Sequence, residues 1–165
     1  MIFETNRMLV RKLTLEDLKG FHEMQSNPNV MKYVDANPKS LAEHQVELED
    51  VIGKYAETGN DFWIYAVVAK ADNSFLGTIA FVKDDLGNDE IGFRFLEKYW
   101  NLGYGTEILN GMIIYSRKLG FTNLIAYVSP ENIASIKTLE KNQFSKIGVD
   151  SETKDLMYTI KYKSA

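Results

Sequence analysis

The stretch from Glu90 to Glu107 reads EIGFRFLEKYWNLGYGTE. A strand pattern over Glu90–Leu96 runs into a glycine-containing loop, which opens directly into an amphipathic helix predicted over Thr106–Leu119. The first turn of a helix has unpaired N–H groups and a partial positive charge, and Gly103 and Gly105 let the backbone approach an anion closely. The stretch predicts a phosphate-binding turn, and a strand-to-helix turn without a ligand is the alternative.

Two common phosphate motifs are absent from this loop. Its glycines are not followed by Lys-Ser or Lys-Thr, so it is not a Walker loop. The third glycine of a dinucleotide fingerprint would fall at Ile108. ATP and NAD are therefore poor candidates for the ligand.

The segments on either side of this stretch alternate between strand and helix patterns. Upstream we expect a strand over 8–13, a helix capped by Thr14 and broken at Asn27-Pro28, and strands over 62–70 and 75–83. Between them we expect a helix from Ser40 that is closed by Gly59 and whose inward face carries Leu41, Leu48, Val51, Ile52 and Tyr55. Downstream we expect a strand over 124–128, a short helix opened by Ser129-Pro130 with Ile133, Ile136 and Leu139 facing inward, and strands over 144–149 and 156–162.

This order of elements predicts an α+β (mixed α/β) fold. Three consecutive strands joined by short turns indicate an antiparallel meander, whereas strand–helix–strand indicates one parallel crossover. We expect one domain over residues 1–165, with a mixed, mostly antiparallel sheet of about seven strands and helices on both faces. Ligands tend to bind at such a parallel joint.

Composition excludes several classes of function. A net charge of -4 and a pI near 5.3 argue against binding duplex nucleic acid, which needs many cationic contacts. There is no cysteine, no signal-peptide pattern and no run of ~18–20 apolar residues, so we expect a cytoplasmic protein away from membranes. His22 and His44 fall in separate helical segments, and we expect no metal site.

Seven fragments of the sequence, in order and at matching spacing, carry a resemblance to a known family. They are TNRMLVR with TLED at 5–17, NPNVM at 27–31, LGTI at 76–79, EIGF at 90–93, YWNLGYGTE at 99–107 and PENIAS at 130–135. The chain resembles GNAT-fold N-acetyltransferases, in the branch of the ribosomal-protein alanine/serine N-terminal acetyltransferases. The resemblance covers nearly the whole chain.

The resemblance implies acetyl-CoA as the acetyl donor. In the family, the strand before the loop splays from its parallel neighbour and pairs with the pantetheine arm, which corresponds here to Phe93, Arg94 and Phe95. The pyrophosphate would lie on the backbone at Asn101, Leu102, Gly103, Tyr104, Gly105 and Thr106. Asn132 and Ser135 match polar contacts to the cofactor, although both could simply cap a short helix.

The implied reaction is direct transfer to an amine, without a metal or a covalent enzyme intermediate. The amine must be neutral to attack, and Glu90 fills the family's acidic position, with Asp89 as the alternative base. Both could instead belong to a solvated turn. Backbone N–H groups near Phe93–Phe95 would stabilise the developing oxyanion. The family's usual acid, a tyrosine, is replaced by Leu139, which leaves Ser135 or Tyr127 as substitutes.

The acceptor is the part that the sequence leaves open. In the family it enters between segments that correspond to residues 18–55 and 145–160, where Glu43, Glu47, Glu49 and Asp50 could attract a cationic amine. Protein N-termini, small polyamines and antibiotics remain alternative acceptors. The oligomeric state is also open, with a homodimer as one alternative.

Departures from the family pattern keep other functions under consideration. Asn101 and Leu102 replace a glycine and a basic residue, and Gln143 replaces a glycine. Together with Leu139, these departures keep an acyl-CoA-binding or sensor protein with little catalysis as the alternative function. A ligand-free interaction domain would have no use for the glycine loop and Asn132.

Overall fold

A computed structural model describes residues 1–163, so residues 164 and 165 of the expected domain lie outside the described part. The described chain forms eight strands and four α-helices, with short 3-10 turns at Leu15–Asp17 and Glu97–Tyr99. The strands are β1 Phe3–Glu4, β2 Met8–Lys12, β3 Phe62–Ala69, β4 Phe75–Lys83, β5 Asp89–Phe95, β6 Asn123–Val128, β7 Ser145–Val149 and β8 Leu156–Lys161. The helices are α1 Leu18–Ser26, α2 Leu41–Lys54, α3 Tyr104–Lys118 and α4 Ile133–Lys141.

All the strands join one sheet, in the order β1-β2-β3-β4-β5-β6-β8-β7. Neighbours are antiparallel except β5 and β6, which are parallel. The predicted mixed, mostly antiparallel sheet with one parallel joint is confirmed. The eighth strand is β1, which pairs Phe3 with Val10 and Glu4 with Leu9. Two residues are too few for an alternating pattern, which is why the sequence predicts about seven strands.

The sheet has an apolar core on each face. One core combines inward residues of the strands with α3 and α4, including Ile108, Leu109, Met112 and Leu139. The other core lies under α1 and α2 and is formed by Leu13, Phe21, Met24, Leu48, Val51, Ala66 and Leu96. Helices therefore cover both faces, as expected.

Helix boundaries follow local capping chemistry. Glu43 N donates to Ser40 Oγ and Ser40 N donates to Glu43 Oε2, so the predicted capping box at the start of α2 is confirmed. The expected closure of this helix at Gly59 is wrong, because α2 ends at Lys54 and Gly59 lies beyond it at φ +73°. The expected start of the last helix at Pro130 is also wrong, since α4 begins at Ile133 with Asn132 as its N-cap.

Two side chains expected to face inward are exposed. Leu41 is 51% exposed and Ile133 is 54% exposed. Each is the first residue of its helix, where no preceding turn brings the side chain against the sheet. Ile136 and Leu139, further along α4, pack against the core as predicted.

The two histidines meet between α1 and α2. His22 Nδ1 and His44 Nδ1 are 2.7 Å apart, so one nitrogen donates while the other must be unprotonated. His44 is 2% exposed, and burial is the main cause that lowers its pKa, with the charge of His22 acting in the same direction. Within residues 1–163, no group of three or more His, Asp or Glu side chains could hold a metal ion.

Acidification should weaken the packing of these helices. Because the pKa of His44 is lowered from 6.5, the unfolded chain binds this proton more readily, and stability is lost as the pH falls through about 6.5. We expect the Tm of the wild type to fall more steeply between about pH 7.5 and 5.5 than that of His44→Asn. Scanning calorimetry across this range tests the linkage, and parallel curves for the two proteins would contradict it.

Candidate active site

The parallel joint of the sheet opens into a cleft. Among the described residues, β5 and β6 share the single pair Glu90–Ile125, and beyond it the strands diverge. A cavity of about 210 Å³ lies in this gap. The predicted residues Phe93, Arg94, Asn132 and Ser135 line it, together with Gly92, Ala126, Tyr127, Val128 and Leu139.

The turn between Leu96 and α3 presents backbone N–H groups. Asn101 and Gly103 adopt left-handed conformations, with φ +59° and φ +81°, and Gly103 is the N-cap of α3. The first intrahelical bond runs from Glu107 N to Gly103 O, 3.2 Å, so the N–H groups that precede Glu107 are free of the helix ladder. The helix begins at Tyr104 rather than at Thr106, which places Gly105 inside it.

Arg7 holds this turn in place, a role that the sequence did not reveal. Its Nε lies 2.7 Å from Glu107 Oε2, its Nη1 donates to Leu102 O at 2.9 Å, and its guanidinium stacks 4.2 Å from the centre of the Tyr104 ring. Arg7 belongs to one of the fragments that carry the family resemblance, but its partners are about a hundred residues away in sequence. It adds a positive side chain beside the start of α3.

Two further contacts join the turn to β5. Trp100 Nε1 donates to Phe95 O, 3.0 Å, which fixes the entry to the loop. A Cβ at Gly105 would lie 3.4 Å from the Phe93 ring and 3.8 Å from Thr138 Cγ2. Gly105 therefore lets α3 pack closely on β5, and the left-handed turn itself depends on Gly103.

Glu90 stands where β5 and β6 part. Burial raises the pKa of Glu90, and repulsion by Asp84 and Asp85 raises it further. The neighbouring carboxylate, Asp89, forms an ion pair with Lys83 Nζ at 2.6 Å. Successive residues of a strand face opposite sides, so Glu90 shares its side with Gly92 and Arg94, and Asp89 does not.

The other predicted site residues already form hydrogen bonds or are buried within the protein. Asn132 Oδ1 accepts from Ser135 N at 3.2 Å, so Asn132 is a helix cap whose amide nitrogen remains as a donor. Tyr127 Oη donates to Asp84 Oδ2 at 2.7 Å; burial and this hydrogen bond raise the pKa of Tyr127 to about 12. Leu139 is 4% exposed and lines the cleft beside Ser135.

The segment after α1 covers one side of the cleft, another feature that the sequence did not assign. Asn27 and Asn29 donate to the carboxylate of Glu97, at 2.7 and 3.0 Å. Tyr33 Oη donates to Glu131 O at 3.3 Å, so the segment is attached on both sides of the cleft, and its lining residues include Val30 and Val34. The motif at 27–31 was part of the resemblance, but nothing in the sequence specified its partners.

A second, larger cavity of about 410 Å³ lies on the α1–α2 face and meets the cleft at Gly92–Arg94. Of the acidic cluster expected near the acceptor, Glu47 and Asp50 line it, whereas Glu43 caps α2 and Glu49 accepts from Gln45. The expected contribution of 145–160 is not found in this cavity, whose lining residues lie between 21 and 94; Asp155 lines the cleft instead.

No helix within residues 1–163 combines the length and the apolar character needed to cross a membrane. The site combines a helix start with free N–H groups, a cleft between parted strands and a half-buried carboxylate on one of those strands.

Comparison with known proteins shows the family to which the chain belongs. The family model of the acetyltransferase (GNAT) domain matches residues 7–145, and the chain belongs to this family of acetyltransferases. The uncharacterized N-acetyltransferase p20 of Bacillus licheniformis is 29% identical over 150 residues, which cover 88% of this chain and 83% of that protein.

Solved structures share the fold at lower sequence identity. A GNAT-family acetyltransferase from Bacillus anthracis superposes with a TM-score of 0.80 at 24% identity, covering 96% of both chains. RimL, a ribosomal L7/L12 alpha-N-protein acetyltransferase solved in complex with coenzyme A, superposes with a TM-score of 0.79 at 15% identity, covering 97% of both chains. The chain is thus an enzyme of the predicted family, and its fold is that of these acetyltransferases.

Gly77 sets the position of the cleft strand and gives a test of the architecture. A Cβ at Gly77 would collide with the Arg94 carbonyl and lie 2.8 Å from Phe95 Cα, beside the register shift between Val67 and Val68. We expect Gly77→Ala to cost about 1–3 kcal/mol, with a loss of roughly 2–4 °C in Tm per kcal/mol.

The matched control is Gly53→Ala, because a Cβ at Gly53 in α2 meets nothing within 4 Å. Here the helix propensity of alanine should raise the stability by up to about 1 kcal/mol. Equal thermal unfolding of the two variants would show that Gly77 does not control the approach of β4 and β5.

Proposed function

We propose that this enzyme transfers the acetyl group of acetyl-CoA to a primary amine by direct attack in a ternary complex. The observation that carries the proposal is the parting of β5 and β6 immediately after Glu90. Glu90, a half-buried carboxylate, belongs to the pair that the two strands share, two residues before Gly92 in the cleft wall, and the start of α3 packs on the same strand through Gly105 and Phe93.

The residues present suit the polyanionic donor in spite of the net charge of -4. The pyrophosphate would be held by the N–H groups of residues 103–106 at the start of α3, supported by Arg7. The pantetheine arm would follow β5 at Phe93–Phe95, where the strand has left its parallel neighbour. Asn132 Nδ2 and the Ser135 hydroxyl would supply further polar contacts from α4.

Glu90 acts as the general base in this proposal. An amine is protonated near neutral pH and must lose a proton before it can attack. Burial and the repulsion by Asp84 and Asp85 raise the pKa of Glu90, which makes it a better proton acceptor than an ordinary glutamate. Asp89 is less suited because it is paired with Lys83.

When bound, acetyl-CoA supplies a thioester carbonyl and a thiolate leaving group. Backbone N–H groups at Phe93–Phe95 would stabilise the charge that develops on the carbonyl oxygen. Ser135 on α4, which lines the cleft together with Leu139, would protonate the leaving sulfur. Tyr127 is a poorer donor, because its hydroxyl already donates its hydrogen to Asp84 Oδ2.

Thermal shift with acetyl-CoA tests the binding part of the proposal. A ligand at 100 times its Kd stabilises the native state by about 2.7 kcal/mol, which is roughly 5–11 °C for a protein of this size. We expect this shift with acetyl-CoA and no shift with ATP or NAD at the same concentration. The absence of any response to acetyl-CoA would reject the proposed donor.

Two glycines in the left-handed conformation provide matched variants for this experiment. Gly103 at φ +81° is the N-cap of α3. Gly59 at φ +73° has open space around it and lies between α2 and β3, neither of which lines the cleft. Both Gly103→Val and Gly59→Val should lower the Tm through backbone strain. We expect the acetyl-CoA shift to be lost in Gly103→Val and kept in Gly59→Val.

Replacement of the proposed base should change the pH profile. Glu90→Gln is expected to lower kcat about 10²–10⁴-fold, with the largest loss above the pKa of Glu90, where the wild-type carboxylate is ionised. Asp89→Asn is the control and should retain most of the activity. Thiol release measured from about pH 5.5 to 9 decides the matter, and a pH profile of kcat that is unchanged in Glu90→Gln would exclude this carboxylate as the base.

A further inference from the structure

The larger cavity contains a guanidinium that no carboxylate neutralises. Arg94 lines the floor of this 410 Å³ space, and among residues 1–163 it forms no ion pair. The hydrogen bond found for its side chain runs from Nη1 to Gln25 Oε1, 2.7 Å. A guanidinium has five N–H donors, so most of its capacity is left for a ligand.

The surroundings hold this guanidinium in place without neutralising it. Gln25 Nε2 donates to Glu47 Oε1 at 2.9 Å, and Lys39 Nζ lies 2.6 Å from Glu47 Oε2. Glu47 is therefore paired with Lys39, and the neutral amide of Gln25 connects Glu47 to Arg94. Burial lowers the pKa of Arg94, which reflects the energetic cost of a charge withdrawn from water.

We infer that Arg94 binds a carboxylate of the acceptor, so that the acetylated amine belongs to a small amino carboxylic acid. This inference rests on the proposed function, because it places the amine beside the acetyl group at Gly92 and Glu90. Residues i and i+2 of a strand lie about 6.6 Å apart on one face, so a guanidinium at Arg94 is within reach of a ligand whose amine lies near Gly92.

The other lining residues of the cavity determine which anionic group and which size of acceptor it can bind. Glu47 and Asp50 are in the wall, and they would repel a doubly charged phosphate more strongly than a single carboxylate. The volume is at the lower end of the range for small-molecule sites. Apolar side chains complete the wall and would accommodate an aliphatic or aromatic side chain of the acceptor; they are Phe21, Val51, Phe62, Ile64 and Ile79.

The experiment compares acceptors that differ only in the carboxylate. Leucine and leucinamide are assayed for thiol release, and we expect kcat/KM for leucine to be roughly 10- to 100-fold higher. Chemistry alone favours the amide, because its less basic amine is neutral in a larger fraction at pH 7. The peptides Asp-Ala-Ala and Asn-Ala-Ala form a second pair that tests a carboxylate at a protein N-terminus.

Substitution of Arg94 then assigns the preference to this side chain. In Arg94→Gln the preference for the acid should be lost, so that the amide is used at least as well as the acid, whereas Arg94→Lys should keep part of the preference. Lys19→Gln removes one positive charge from the exposed outer side of α1 and should keep the full ratio. Each variant is first checked for its thermal shift with acetyl-CoA, which identifies any that fail to fold.

A binding measurement gives a readout that needs no turnover. We expect N-acetyl-leucine to raise the Tm of the wild type more than N-acetyl-leucinamide does, and this difference should vanish in Arg94→Gln. Discrimination only between the peptides would support the carboxylate at Arg94 and identify a protein N-terminus as its source. Discrimination that persists in Arg94→Gln would overturn the assignment to this residue.

The outcomes separate this inference from the proposed function. If acetyl-CoA stabilises the protein and amines are acetylated without any preference for a carboxylate, the inference is wrong and the proposed function stands. If neither acetyl-CoA binding nor acetyl transfer is found, the proposed function fails first. A preference that is lost in Lys54→Gln but kept in Arg94→Gln would move the carboxylate to the other cation of the cavity wall.

Discussion

The separation of two parallel strands is the constraint on which the rest of this structure depends. Backbone N–H and C=O groups need hydrogen-bond partners, so a sheet that opens in its middle leaves groups that a ligand can satisfy. Here β5 is bound to β4 along its whole length but meets β6 at one described pair. One edge of β5 is therefore held by hydrogen bonds to β4 and the other edge is open. The cleft forms without a conformational change.

The start of α3, where we propose that the pyrophosphate binds, relies on backbone groups more than on charged side chains. A protein with a net charge of -4 cannot attract a polyanion by its overall field, so binding must come from local groups. The left-handed Gly103 turns the chain so that α3 begins with its amides free, and Arg7 fixes this turn through Glu107 and Leu102. Trp100 ties the opposite end of the loop to β5.

Sequence patterns predicted the elements whose signals are local. The capping box at Ser40 and Glu43, the order of strands and helices and the parallel joint all follow from neighbouring residues. The helices that begin at Tyr104 and Ile133 were predicted to begin at Thr106 and Pro130. Glycine and asparagine, which cap these two helices, are also common in turns, so they do not mark a helix start by themselves. The contacts of Arg7 and of the 27–34 segment could not be predicted, since their partners lie from 68 to 100 residues away in sequence.

The proposed site has a donor half, at the start of α3 and β5, and an acceptor half, in the larger cavity, and the sequence specifies the two in different ways. The donor half is made largely of backbone conformation, which a short motif such as residues 99–107 determines, so its chemistry can be predicted from the sequence. The acceptor half is made of side chains from α1, α2 and β5, such as Gln25, Glu47 and Arg94, whose partnership exists only after folding. One fold can therefore keep its donor while side-chain changes on the opposite face alter the amine that it accepts, because those changes leave the parted strands untouched.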